Sequence, residues 1–319
     1  MKKILKWILI AIVILLILGI VFIVGSSYFE HRKLVEEEKS EYPPPGMLVD
    51  VNDDGDKLHV YAEGEGDKTL VFMSGFGTAS PLYDFKVLYE KLAEDYRIAV
   101  IERAGYGWSD ISSSPRDIDT VLEETRKALQ LAGEKPPYAL FPHSLAGLEA
   151  IHWANLYPEE VGTIIGLDPL IPEYQLKTEE ESSTSLLIDF LMGTGLVRNQ
   201  PDVFDNNFHA MKKGHLTEEE AQIARTLFYR RVQTSNMKDE ADMVETNAKT
   251  VSEKGKPDLA FNVFISNENE DEFWEESLRS YAKATNGEYF VLDAEHYIHL
   301  DETELIAEKS KELIEGRIK

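Results

Sequence analysis

A serine stands where a short apolar strand pattern meets a helical pattern, at Ser144 in the segment Tyr138–Gly147 (YALFPHSLAG). A sharp strand-to-helix turn would hold the serine oxygen at the carboxyl edge of a sheet, beside the positive end of the helix. Such a turn needs compact residues two places before and after the serine, and these are Pro142 and Ala146, followed by Gly147. The alternative is a serine that caps an ordinary helix. The pattern favours a nucleophile elbow.

A second segment could supply donors for a developing oxyanion. The apolar strand pattern Thr69–Met73 (TLVFM) ends in Ser74-Gly75-Phe76-Gly77, which is a natural position for an oxyanion loop. We expect the backbone N–H of Phe76 to pair with that of Leu145, the residue after the serine. These two donors would bind the negative oxygen that forms when a serine attacks a carbonyl carbon.

Two more loops follow strand patterns and carry polar groups. The strand pattern Arg97–Ile101 leads into residues 102–109 (ERAGYGWS), whose two glycines let the loop pass close to the serine. Near the C-terminus, another strand pattern ends shortly before His296.

Taken together, these segments resemble the α/β-hydrolase-fold serine hydrolases, the superfamily of esterases and lipases, from Met47 to Ile314. The resemblance implies that Ser144 is the nucleophile and His296 the base, with the chain order serine, acid, histidine. The loop at 102–109 is similar to the family element D-R-x-G-x-G-x-S, with glutamate in the first place. The chain departs from the family at the elbow, which lacks both usual glycines, and in the oxyanion loop, which has serine where histidine is usual.

The triad acid is the ambiguous member of the site. Asp168 ends the strand pattern TIIGL, where some family members place the carboxylate, and we take it as the first choice. The more frequent family position follows the next strand pattern, where Glu270 is the nearest match and Glu268 and Asp271 stand beside it. Asp168 could equally be structural. The sequence leaves these alternatives open.

The expected mechanism follows from these roles. Neutral His296 takes the hydroxyl proton while Ser144 attacks a carbonyl carbon, and the carboxylate holds the proton on the other ring nitrogen. Water activated by the same histidine then releases the acyl group from the enzyme. This chemistry requires no metal ion and no cofactor.

Strand and helix patterns alternate along the chain from Met47, which predicts an α/β fold with a mainly parallel sheet and helices on both faces. The alternation stops between about residues 170 and 256, where the pattern is helical, acidic and broken by glycine. We therefore predict a hydrolase domain over residues 46–319 that contains a helical cap insertion. The cap would fold over the carboxyl edge of the sheet.

The N-terminus differs from the rest of the chain. An unbroken apolar stretch from Trp7 to Val24 follows three lysines, and as a helix it would be about 27 Å long. We predict a transmembrane anchor over residues 1–29 and a charged, proline-rich stem over residues 30–45, with a cleaved signal peptide as the alternative. A slight excess of lysine before the span favours a single-pass cell-membrane protein whose catalytic domain is extracellular.

Composition excludes several classes of function. The net charge of −25 argues against a nucleic-acid partner, and the absence of cysteine excludes thiol nucleophiles, zinc thiolates and disulfides. The leading prediction is a membrane-tethered ester hydrolase acting on a small or lipid-like ester. An aminopeptidase-like amidase, with Glu173 or Asp202 in the cap binding a substrate ammonium group, is one alternative. A non-catalytic binding protein that retains the fold is the other.

Overall fold

The computed structural model describes residues 2–178, 186–200, 202–267 and 271–317. Within these residues an eight-stranded sheet forms the centre of the domain. Its strands are β1 (Met47–Asp50), β2 (Lys57–Glu63), β3 (Thr69–Met73), β4 (Arg97–Glu102), β5 (Tyr138–Ser144), β6 (Val161–Pro169), β7 (Phe261–Ser266) and β8 (Tyr289–Leu292). The α/β class expected from the alternating pattern is confirmed.

The strands lie in the spatial order β1-β2-β4-β3-β5-β6-β7-β8. Strand β2 pairs antiparallel with both β1 and β4, and every other neighbouring pair is parallel. The carboxyl ends of β3 to β8 therefore meet at one edge of the sheet. Ligand and catalytic sites of open parallel sheets lie at this edge, because the loops that leave the strands converge there.

Central strands are apolar along their whole length because helices cover both faces of the sheet. All five residues of β3 and all six of β7 are buried. On one face, Trp153 and Ile151 of the helix after β5 pack into a core with Leu140. On the other face, Phe72 and Phe141 stack with ring centroids 4.9 Å apart. Burial of this apolar surface is the main contribution to the stability of the domain.

Eight α-helices described here lie outside the segment between β6 and β7, and the first of them is much longer than the others. They are α1 (Lys2–Glu41), α2 (Pro81–Asp84), α3 (Lys86–Leu92), α4 (Ile118–Leu131) and α5 (Ala146–Leu156), and later α12 (Glu272–Ala284), α13 (Ile298–Asp301) and α14 (Thr303–Ile314). Helices α2 and α3 are separated at Phe85. The ring of Phe85 is buried against Phe72, with centroids 5.4 Å apart, and the chain turns there to place it.

The chain between β6 and β7 contains no strand among the residues that are described. Its helices are α6 (Pro172–Thr178), α7 (Leu186–Gly193), α8 (Asp202–Asn207), α9 (His209–Lys212), α10 (Glu218–Arg231) and α11 (Ser235–Lys254). A capping box at Thr217 and Glu220 begins α10, and Gly255 follows the end of α11. We call this segment, residues 170–256, the cap. The strand pattern returns at Phe261, as the sequence predicts.

Helix α1 is the one helix in the described residues that is long and apolar enough to cross a membrane. It continues beyond the apolar stretch to Glu41, so most of the stem expected over residues 30–45 is helical. The stem is also docked on the cap. Arg198 donates two hydrogen bonds to the Glu38 carboxylate, at 2.6 and 2.9 Å, and a third to the Nδ1 atom of His31.

Candidate active site

The turn at Ser144 has the strained backbone of a nucleophile elbow. Strand β5 ends at Ser144, whose φ of 50° lies in the left-handed region, and α5 begins two residues later at Ala146. A non-glycine residue in this region is uncommon and is held by its surroundings. Here the N–H of Leu170 donates to the Ser144 carbonyl oxygen at 2.7 Å. The turn therefore forms although Pro142 and Ala146 replace the usual glycines.

Two glycines allow neighbouring chain segments to approach the elbow closely. A Cβ atom at Gly75 would lie 2.7 Å from the Cβ of Ser144, so the loop after β3 passes directly against the serine. A Cβ atom at Gly147 would lie 2.2 Å from the carbonyl oxygen of Leu170. The small residue that this elbow requires on its helical side is thus Gly147, because the end of β6 crosses there.

His296 and Asp168 form a hydrogen-bonded pair at the same edge. The Nδ1 atom of His296 lies 2.6 Å from the Oδ2 atom of Asp168. The side chain of His296 is 32% exposed, whereas that of Asp168 is fully buried. The His296 ring lies 4.7 Å from the ring of His143, the residue before Ser144. The structure thus brings the expected histidine and the first-choice acid together beside the elbow.

Three further donors hold the Asp168 carboxylate in place. The Ser266 N–H and hydroxyl donate to its two oxygens at 3.0 and 2.6 Å, and the Trp274 indole N–H donates at 2.7 Å. These donors fix the orientation of the carboxylate that lies against His296 Nδ1. Sequence analysis did not identify Ser266 and Trp274 as partners, because serine and tryptophan after a strand carry no motif.

The alternative acids follow β7, the strand next to β6. Glu268 and Glu270 lie outside the described residues. Asp271 caps α12 by accepting from the Phe273 N–H at 2.9 Å, and it also accepts a hydrogen bond from the Tyr174 hydroxyl at 2.6 Å. Among the described carboxylates, Asp168 is the one hydrogen-bonded to His296.

The expected oxyanion donors flank the serine. Phe76 lies in the loop that contacts Ser144 through Gly75, and Leu145 is the first residue after the serine. Among the backbone hydrogen bonds found in the described chain, neither the N–H of Phe76 nor that of Leu145 is a donor.

A buried ion pair fixes the loop that carries Phe76. Arg103 donates to the carbonyl oxygen of Ser74 at 2.7 Å, and two further N–H groups donate to the Glu240 carboxylate at 3.0 and 3.1 Å. Both charged side chains are almost fully buried, and Glu240 also accepts from the Tyr106 hydroxyl. Helix α11 of the cap is thus connected to the oxyanion loop. The arginine stands in the motif at 102–109, but nothing in the sequence identified Glu240.

Three other histidines surround the pair. His143 is buried and its Nε2 atom lies 3.1 Å from the His296 carbonyl oxygen, while burial lowers its pKa well below the usual value. Burial also lowers the pKa of His299 to about 3. His209 of α9 stacks on the ring of Tyr297 with centroids 3.6 Å apart, which brings the cap next to the edge of the sheet that carries His296. The buried rings of His143 and His299 are therefore neutral packing groups at ordinary pH.

A second histidine–carboxylate pair lies nearby and was not identified from the sequence. The Nδ1 atom of His59 in β2 lies 2.9 Å from the Oε2 atom of Glu102 at the end of β4, and both side chains are fully buried. The Nε2 atom of His59 accepts a hydrogen bond from the Gly46 N–H. The Trp108 N–H also donates to Glu102, at 2.7 Å. Both nitrogens of this imidazole are thus occupied within the protein.

Behind the elbow, Glu149 in the first turns of α5 is fully buried. Its carboxylate lies 4.0 Å from Arg103, and burial raises its pKa to about 7. No group of three or more histidine and carboxylate side chains suited to a metal ion occurs among the residues described.

Comparison with known proteins gives a consistent result. A family model described as the alpha/beta hydrolase fold matches residues 68–303. The chain is 40% identical, over 239 residues, to the uncharacterized protein YbdG of Bacillus subtilis (strain 168), covering 73% of this chain and 72% of that protein. The resemblance inferred from the elbow and its neighbouring loops is therefore confirmed.

Solved structures share the fold at low sequence identity. The epoxide hydrolase VrEH1 from Vigna radiata superposes with a TM-score of 0.65 at 16% identity, covering 85% of this chain and 97% of that one. The enol-lactonase from Burkholderia xenovorans LB400 superposes with a TM-score of 0.57 at 14% identity, covering 83% of this chain and 98% of the other. These similarities concern the fold, which is shared by enzymes with different reactions.

Proposed function

This chain belongs to the α/β-hydrolase fold family, and from that premise we propose that it is a membrane-tethered serine hydrolase of carboxylic esters. Ser144 is the nucleophile, His296 the general base and Asp168 the acid, with the N–H groups of Phe76 and Leu145 as oxyanion donors. Hydrolase chemistry follows from the family, whereas the ester substrate, the triad and the tether are parts of the proposal.

One observation carries the proposal: the 2.6 Å hydrogen bond between His296 Nδ1 and the buried Asp168 carboxylate, beside the strained turn at Ser144. An acceptor at Nδ1 keeps the proton on that nitrogen, so Nε2 carries the lone pair that can remove a hydroxyl proton. The exposure of the His296 side chain is consistent with access for substrate and water. A serine that only capped helix α5 would not require a histidine–carboxylate pair beside it.

The steps of the reaction follow from these groups. The Ser144 oxygen bonds to the carbonyl carbon while its proton moves to His296 Nε2, and the oxyanion is held by the N–H groups of Phe76 and Leu145. The C–O bond to the alcohol breaks as His296 returns the proton to the leaving oxygen. Water then attacks the acyl-enzyme, gives its proton to His296, and Ser144 is released as the carboxylic acid leaves.

The type of nucleophile supports acyl transfer rather than epoxide opening. In this fold, epoxide hydrolysis and dehalogenation require a carboxylate nucleophile, and this chain has a serine at the elbow. For an amidase, Glu173 or Asp202 was the expected ammonium contact; Glu173 forms an ion pair with Lys256, and Asp202 is exposed at the start of α8. No observation in the described structure favours the amidase over the esterase.

The tether is supported by helix α1. Its apolar residues from Ile4 to Phe22 are exposed along the helix with no protein surface covering them, as expected of a segment surrounded by lipid. The apolar stretch of 18 residues from Trp7 to Val24 is also longer than the about 7–15 residues usual for the apolar core of a signal peptide. We therefore favour an uncleaved anchor.

A fluorophosphonate probe tests the nucleophile directly. The full chain in detergent should be labelled, Ser144→Ala should not, and Ser252→Ala, which changes an exposed serine on α11, should be labelled like the wild type. A folded wild-type protein that remains unlabelled, or equal labelling of Ser144→Ala, would reject the proposal and favour a binding protein.

Substrate class and tether have their own tests. We expect hydrolysis of p-nitrophenyl esters to exceed hydrolysis of amino-acyl p-nitroanilides by at least about 100-fold, since an anilide leaving group needs stronger acid assistance. The reverse preference would support the amidase.

Retention of the full-length chain in membranes after alkaline extraction is expected for an anchor, and its release as a shortened chain would indicate a cleaved signal.

A further inference from the structure

Helix α7 has large apolar side chains that the described part of the chain leaves exposed. Leu187 is 66% exposed and Phe190 is 50% exposed. Single exposed apolar residues are common on protein surfaces, but two large ones within one turn of a helix mark a contact surface. The exposed side chains of this helix therefore point to a partner that is apolar at its surface.

The opposite side of α7 is fixed to the cap. Met192 is buried in the core formed with Phe204 and Phe228, and Asp189 forms an ion pair with Lys238 of α11 at 2.7 Å. The helix is thus held in one orientation, with one side in the protein and the other exposed. A fixed amphipathic helix of this kind suits a membrane surface.

The turn that follows α7 lies against helix α1. Gly195, two residues after α7, packs on His31 so closely that a Cβ atom there would lie 2.4 Å from the His31 Cβ. Arg198 then joins His31 and Glu38 through three hydrogen bonds. These contacts set the position of α7 along α1.

The contacts of Gly195 and Arg198 with α1 also set the depth of α7 relative to a bilayer. The apolar stretch ends at Val24, and His31 follows it after about 10 Å of helix. Tyr28 and Phe29, both exposed, stand between them, where an aromatic belt at the headgroups is expected. With α1 along the membrane normal and Val24 at the end of the hydrocarbon core, a headgroup layer about 5–8 Å thick would place Gly195 at its outer boundary. A helix about 12 Å long that ends there can reach into the lipid.

We propose that α7 is an interfacial helix that inserts Leu187 and Phe190 into the bilayer surface and delivers lipid-dissolved esters to the catalytic edge. This inference rests on the proposed function for its substrate and on the tether for its location. The cap segment that begins at α7 continues to α9, whose His209 stacks on Tyr297 next to His296. The same segment thus connects the bilayer surface with the histidine of the site.

A bilayer fits this surface better than a second copy of the chain. The anchor already holds α7 at the membrane, whereas two copies with a net charge of −25 each repel one another. The same negative charge makes binding through anionic headgroups unfavourable. Apolar insertion into a zwitterionic membrane is therefore the expected mode.

Labelling at single cysteines tests the location of α7. The chain contains no cysteine, so Phe190→Cys can carry a single environment-sensitive fluorophore in the full chain, reconstituted in phosphatidylcholine vesicles. The matched control is Leu131→Cys, an exposed position just before β5 begins and thus near the opposite edge of the sheet. We expect spin-labelled lipid to quench the label at 190 at least about threefold more than the label at 131.

Each other outcome overturns the proposal. Equal quenching of both labels by aqueous iodide, with no effect of spin-labelled lipid, would place α7 in water. Concentration-dependent self-quenching at 190 alone would indicate a second copy as the partner. Failure of the full chain to stay with the vesicles would reject both α7 insertion and the tether, while leaving the hydrolase proposal to the fluorophosphonate probe.

Activity measurements test delivery of substrate. The double variant Leu187→Ser, Phe190→Ser should hydrolyse p-nitrophenyl palmitate dissolved in the vesicles about tenfold more slowly, and aqueous p-nitrophenyl acetate at the wild-type rate. Leu131→Ser should change neither rate. Equal palmitate hydrolysis by the double variant and wild type would contradict delivery through α7, whereas a wild type inactive on both esters would contradict the proposed function instead.

Discussion

Two histidine–carboxylate pairs lie at the carboxyl edge of the sheet, and they differ in the exposure of the histidine. In the pair of His59 and Glu102 both side chains are fully buried, and Nε2 of His59 accepts from Gly46. In the pair of His296 and Asp168 the carboxylate is buried but the histidine is partly exposed. Under the proposed function, this difference in exposure separates a structural pair from a catalytic one.

The largest expected effect is on kcat, and it separates the two carboxylates when each is replaced by its amide. Asp168→Asn should lower kcat by about 10⁴-fold, because the amide no longer holds the catalytic tautomer of His296 or stabilises its protonated form. Glu102→Gln, the matched change in the structural pair, should leave kcat for a soluble ester within about threefold. Steady-state kinetics of both variants would test the comparison, and similar losses in the two would refute the distinction between the pairs.

The structural pair should instead control stability. Glu102→Gln replaces a carboxylate that accepts hydrogen bonds from His59 and the Trp108 N–H, and we expect a loss of about 3 kcal/mol in the free energy of unfolding. Urea unfolding monitored by circular dichroism measures this loss. An unchanged midpoint would show that the buried pair contributes little.

A third buried carboxyl group, Glu149, sharpens the comparison because burial raises its pKa from 4.5 to about 7. The folded state then favours the protonated form, so this contribution to stability is complete below about pH 4.5 and is lost as the pH rises towards 7. Between pH 5 and pH 8 the wild type should lose about 2 kcal/mol more than Glu149→Gln. Urea unfolding at both pH values provides the test, and parallel losses in the two proteins would contradict the assigned pKa.

The smallest effect concerns the ion pair that supports the oxyanion loop. Glu240→Gln weakens the hold on Arg103, which donates to the Ser74 carbonyl, so the Phe76 N–H should be less well placed. We expect kcat to fall about tenfold with KM within about twofold, since the oxyanion forms only in the transition state. Glu245→Gln, at an exposed position of the same helix, is the control. A change in KM alone would indicate that Glu240 supports substrate binding instead.

Local patterns predicted the strands and helices of the fold, because whether a segment forms a strand or a helix depends largely on residues close to it in the sequence. The apolar runs of β3 and β7 and the strand-to-helix change at Ser144 are visible in the sequence, and the family resemblance gave them an order. The choice between Asp168 and Glu270 depends instead on which strand end faces His296. That contact joins residues 128 positions apart along the chain, and no local pattern reports it.

The cap and the stem were predicted least completely. The sequence indicated a helical insertion over about 170–256 and a charged stem over 30–45, but not that Arg198 would join the two. It also did not reveal the pairing of His59 with Glu102 or of Arg103 with Glu240. These partners lie on different elements, and a single sequence shows only that each residue is charged, not which residue it meets.

Mapping the acyl-enzyme tests the central claim most directly. The full chain in detergent would be mixed with p-nitrophenyl acetate, quenched in acid within the burst phase and analysed by intact-mass and peptide mass spectrometry. The account predicts one acetyl group per chain, located on Ser144, which is reduced strongly in His296→Ala and lost in Ser144→Ala. An acetyl group on another residue, or hydrolysis without any covalent adduct in a wild type that shows a burst, would contradict it.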